Sequence, residues 1–115
     1  MVNNKIITYI SFAKKSGSLS LGFDAVKSDV LCKNAKLIIL LNDASEKTKK
    51  EVQIIAEKYK VKSLILALES KDLLHIFGKK IVVISISNKD LSMAILNSYY
   101  SNLLEKKGDI YIDKT

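Results

Sequence analysis

The sequence predicts an α/β protein, a three-layer α/β/α sandwich around a four-stranded mixed sheet. Two observations predict it. The runs Leu37–Leu41, Leu64–Leu68 and Ile81–Ile86 are short, rich in branched side chains, and do not alternate with polar residues. That is the pattern of strands covered on both faces. Segments with apolar residues at helical spacing separate these runs, so helices and strands alternate along the chain and a largely parallel or mixed sheet lies between helical layers.

The elements follow in order. Ile6, Ile7, Tyr9, Ile10 and Ala13 mark a first helix that ends at Lys14 and Lys15, where cations suit the negative helix terminus. A short strand precedes Gly22. A second helix opens at Phe23 and carries Val26, Val30 and Leu31. After the Leu37–Leu41 strand, Ser45 is a natural N-cap for a helix with Val52, Ile55, Ala56 and Tyr59 on one face. Leu73, Leu74 and Phe77 form a short helix that Gly78 ends. Leu91, Ala94, Ile95 and Tyr99 start the last helix after the polar residues Ser87 to Asp90. Residues 1–107 are expected to form one domain. Residues 108–115 follow as a tail or an edge strand, with a brief Ile-Tyr-Ile between charges.

Composition narrows the function classes. The 115 residues contain no proline, and their apolar share of 48% and charged share of 27% are ordinary for a globular domain. No apolar run approaches the ~20 residues of a membrane span, and no signal peptide is expected at the start. A single cysteine, Cys32, excludes an intramolecular disulfide and fits a reducing compartment, so a cytoplasmic location is expected. The net charge is +7, and all nineteen basic residues are lysine. Residues 1–50 hold nine lysines against four acids, whereas 51–115 hold ten against eight. A basic excess concentrated in the first half suits a polyanionic partner, although lysine kept for solubility gives the same composition. Without arginine, anion contacts must use lysine as a point charge or backbone N–H groups.

The glycines Gly17 and Gly22 have the spacing of a phosphate-binding loop, but Phe23 and Asp24 follow where a nucleotide loop requires Lys then Ser or Thr. An acid in the first helical turn also repels phosphate, so this is no nucleotide loop. His75, the single histidine, lies among apolar residues and reads as a partly buried structural ring. Cys32 reads as a small residue in or near the core. No Cys/His cluster has metal-ligand spacing, and nothing calls for a cofactor or for catalysis. What remains is the basic, polar surface around Gly22: Asp24, Lys27 and Ser28 on the exposed side of the second helix, with Lys14 and Lys15 beside its open N-terminus. Such a helix end can position a nucleic-acid backbone.

The stretches "AKKSGSLSLG", "NAKLIILLNDAS" and "LLHIFGKK", the last followed by "IVVISI", carry a resemblance. In this order, over residues 5–97, they resemble the L-seven-Ae/L-thirty-e ribosomal-protein family, most of all its small bacterial YlxQ-type branch. The resemblance implies the same sandwich and a non-enzymatic role in binding structured RNA, ribosomal or other non-coding, in many relatives a kink-turn. It implies neither a membrane nor DNA as partner. In that family the second helix opens with Gly-Thr-Asn-Glu and carries a lysine three residues after the glutamate. Here Gly22 is retained, while Phe23, Asp24 and Ala25 stand at the next three positions and Ser28 at the lysine position, with Lys27 beside it. An ionised aspartate only accepts hydrogen bonds where asparagine also donates, and alanine offers neither. The family's apolar loop after the fourth helix is here Gly78-Lys79-Lys80. The resemblance therefore implies an RNA-binding face on Gly22, Phe23, Asp24, Lys27 and Ser28, bordered by Lys14, Lys15, Lys33, Lys36, Lys79 and Lys80, with modest sequence specificity. A rival reading is a protein-interaction module on the same fold, motivated by the departures at Asp24, Ala25 and Ser28.

Overall fold

The computed structural model describes residues 4–106, with side chains for 5–101. The elements are α1 (Asn4–Lys15), β1 (Leu19–Leu21), α2 (Phe23–Leu31), β2 (Leu37–Leu41), α3 (Glu46–Tyr59), β3 (Lys62–Leu66), a 3-10 turn (Ser70–Leu73), α4 (Leu74–Phe77), β4 (Val83–Ile86) and α5 (Lys89–Lys106). The expected sandwich is present. Strand order across the sheet is β1-β4-β2-β3. β4 pairs antiparallel with both β1 and β2, and β2 pairs parallel with β3.

The sheet is apolar on both faces because each face has its own helical cover. Leu37, Ile39 and Leu41 of β2, with Ile84 and Ile86 of β4, join Ile6, Ile10 and Ala13 of α1 and Ile95 of α5 in one core. Ile38 and Leu40, with Val83, face the other way and meet Val26 and Val30 of α2 and Val52 and Ala56 of α3. Fully burying an aliphatic side chain of this size contributes about 1.5–3 kcal/mol. Two buried layers on one strand explain why no period-2 alternation is visible in β2.

The caps are those expected. The Ser45 hydroxyl accepts from the Thr48 N–H at 3.1 Å, and Gly78 ends α4 in the left-handed conformation at φ 75°. Four local expectations need correction. β3 begins two residues before its apolar run, because parallel pairing sets Lys62 opposite Leu37 at the sheet edge. Cys32 is exposed rather than near-core, because it caps α2 beyond the last buried residue, Val30. His75 is exposed as well, since α4 turns Phe77 inward and leaves the ring outside. Leu31, one position past Val30, is likewise 48% exposed. The expected tail at 108–115 lies outside the described residues.

Candidate nucleic-acid interface

Helix α2 is anchored over the sheet at both ends of β4. At its start the Gly22 N–H donates to the Val83 carbonyl at 2.9 Å, and no side chain caps the first turn. Gly22 sits at φ 91°, ψ 161°, a region that essentially only glycine occupies. Two residues before the helix ends, Asp29 accepts from the Ser85 hydroxyl at 3.0 Å, and Ser85 is completely buried. These contacts fix the rotation of the helix. Val26 and Val30 face the sheet, Phe23 is half-buried, and Asp24, Lys27 and Ser28 are exposed.

Lys79 and Lys80 stand where the chain enters β4, close to the Gly22–Val83 bond. The Val82 carbonyl accepts from the Leu41 N–H at 2.8 Å, which holds this loop against the end of β2. Asp43, just past β2, accepts from the Ser70 N–H at 2.9 Å and from its hydroxyl at 2.6 Å. The Ser70 hydroxyl is the main reason its carboxyl lies below the ordinary carboxylate range, and the charge of Lys80 acts in the same direction. Lys14 reaches the same segment from α1, its ammonium donating to the Ile76 carbonyl in α4. Lys15 lies beside it, next to the exposed His75.

The expected residues thus form two groups. Gly22, Phe23, Asp24, Lys79 and Lys80 share one end of the sheet, with Lys27 and Ser28 a turn along α2 and Lys14 tied to α4. Lys33 and Lys36 lie at the opposite end, where the Lys36 N–H donates to the Ile86 carbonyl at 2.8 Å. The nine residues of α2 separate the groups, about 13 Å at ~1.5 Å per residue. Sequence reasoning missed the Asp29–Ser85 and Asp43–Ser70 contacts, which join residues 56 and 27 positions apart. Only the alternating serines Ser18 and Ser20, and Ser85 and Ser87, hinted at a polar strip along β1 and β4 within the otherwise apolar sheet. Among the described residues no three His, Cys, Asp or Glu side chains converge to hold a metal, and no helix is long and apolar enough to cross a membrane.

Residues 4–96 match the model of the ribosomal protein L7Ae/L30e/S12e/Gadd45 family. The chain belongs to that family. Its L7Ae-type sandwich is shared with a solved protein of unknown function from Bacillus halodurans C, which is 21% identical and superposes with a TM-score of 0.77. The match covers 84% of this chain and 97% of the other, and at that identity it speaks for the fold. No curated protein matches the sequence. Membership in the L7Ae/L30e group points to RNA or a ribonucleoprotein as partner.

Proposed function

We propose that this chain is a non-enzymatic RNA-binding protein of the YlxQ-type branch, acting in the cytoplasm on structured, bent or kink-turn-like RNA, ribosomal RNA included. Residues 1–107 form its binding domain, and 108–115 are a tail. The observation that carries the reading is the meeting of Gly22 and the Lys79–Lys80 loop at one end of the sheet in a member of this family. Asp24 occupies the first turn of α2 and answers the positive helix end there, so the lysines at this end of the sheet supply the charge for the RNA backbone. Asp24, Ala25 and Ser28 replace groups that would read base edges, at about 1–3 kcal/mol of discrimination each by analogy with bidentate readout in DNA. Backbone contacts therefore dominate, and specificity for a standard kink-turn is modest.

The test compares a kink-turn hairpin with a straight duplex of equal length, over a salt series, for the wild type and for Lys27→Glu/Lys80→Glu. The wild type should bind both, with a small preference for the bent RNA, and the variant should lose affinity and salt dependence. Equal binding by the variant would displace this face. If the wild type binds neither RNA, the protein-interaction reading takes its place.

A further inference from the structure

The N-terminal ends of β2 and β3, opposite Gly22, carry a feature of which the family reading uses only Lys33 and Lys36. Three shallow depressions of ≈ 460, 340 and 520 Å³ adjoin there. The first and second share Lys33 and Lys36, and the second and third share Lys60 and Val61. Together they make one trough from Ser18 beside β1 to Ser63 on β3, lined by Lys33, Lys36, Lys60 and Lys62. Asp29 and Glu57 are the acids on its walls, and Asp29 is engaged by Ser85.

The backbone adds an independent observation. Lys33 at φ 63° and Lys60 at φ 58° are the only non-glycine residues with positive φ among the described residues. They occupy equivalent places. Each follows a helix end in which the next N–H reaches back five residues, Asn34 to Asp29 and Val61 to Ala56, both at 2.9 Å. Glycine is the favoured residue at such a position, and a side chain there is strained. Both strained positions carry lysine, and both lysines line the same trough.

We propose that this trough is a second track for an RNA phosphate backbone, separate from the face at Gly22. The inference rests on the RNA-binding reading and adds a second surface to it. Four lysines without arginine form a row of point charges suited to phosphates and indifferent to bases. An RNA engaged at both ends of α2 would cross the helix, with Lys27 between the two contacts.

The experiment uses the full chain with two probes, a labelled 20-nucleotide oligo(U) strand and the kink-turn hairpin. Lys33→Gly/Lys60→Gly should melt at the wild-type temperature or above it, because glycine relieves the strained backbone. It should also flatten the salt dependence of oligo(U) binding by about 1.4 in log–log slope, at ~0.7 for each phosphate no longer neutralised. Lys36→Ala/Lys62→Ala, at positions without strain, should flatten it by a similar amount. The hairpin-over-duplex preference should survive both variants. An unchanged slope in both would overturn the proposal and leave the lysines as helix-end charges. A wild type that binds neither probe would instead defeat the RNA reading itself.

Discussion

Replacing Gly22 isolates the cost of a single backbone conformation. A Cβ built there meets no atom within 4 Å, and the same is true at Gly78. Steric conflict with neighbouring elements is therefore absent at both positions, and the difference between them is torsional. Gly78, at φ 75°, ψ 1°, is in the left-handed region that asparagine also visits. Gly22, at φ 91°, ψ 161°, lies in the region reserved for glycine, where a side chain costs on the order of 1–3 kcal/mol. Gly22→Asn should thus destabilise by about 2 kcal/mol, whereas Gly78→Asn should cost less than about 1 kcal/mol. Urea unfolding followed by circular dichroism reads the difference. With a slope of ~2 kcal/mol per molar, the midpoint should fall by roughly 1 M for Gly22→Asn. Equal, small shifts at both glycines would show that the conformation at Gly22 does not anchor the start of α2.

Other perturbations test the contacts that seat the site. Ser85→Ala removes the buried donor to Asp29 and should destabilise by about 1–2 kcal/mol, while Asp29→Asn, which keeps an acceptor, should cost less; urea midpoints decide. The Ser70 hydroxyl lowers the Asp43 pKa, so that contribution is complete at neutral pH. It fades as pH falls below the ordinary carboxylate value near ~3.9 and through the lower folded value. In Ser70→Ala the Asp43 carboxyl resonance should titrate at higher pH, and its stability deficit relative to wild type should shrink in acid. The hydroxyl of Ser92 is buried in α5 without a hydrogen-bond partner, so Ser92→Ala should be neutral or slightly stabilising in the same urea assay.

The sandwich was legible because the central strands β2 and β4 are buried on both faces, which leaves a near-continuous apolar signature. β2 begins and ends where its five apolar residues do. β3 was displaced by two residues, because an edge strand tolerates Lys62 and Ser63 and its extent is set by pairing with β2, which leaves no local trace. Cys32, Leu31 and His75 were misplaced for a common reason. Each lies one or two residues from an inward-facing one, Val30 or Phe77, and steps of about 100° along a helix carry a side chain from core to solvent. Within the candidate site the exposed face of α2 followed from its buried stripe of Val26 and Val30. The separation of Lys33 and Lys36 from Lys79 and Lys80 did not, because it depends on the antiparallel insertion of β4. The positive φ at Lys33 and Lys60 was hidden for a different reason: lysine is an ordinary surface residue, and nothing in its identity announces a strained backbone.

The strand order has a consequence for how the chain is made. Among the described residues β4 is the last strand to be synthesised, yet it lies between β1 and β2 and supplies the carbonyl that holds Gly22. Before residues 83–86 leave the ribosome, β1 has no neighbour, and the pair β2–β3 lacks its inner side. The segment ahead of β4 cannot close the sheet, and α2 cannot lock over it. The basic surface around Gly22 then lacks its support, and it gains its shape only once residues 83–86 are free to pair. At ~5–20 residues per second this interval lasts several seconds for a chain of this length. The emergence of β4 is therefore also the moment at which the surface around Gly22 takes its shape.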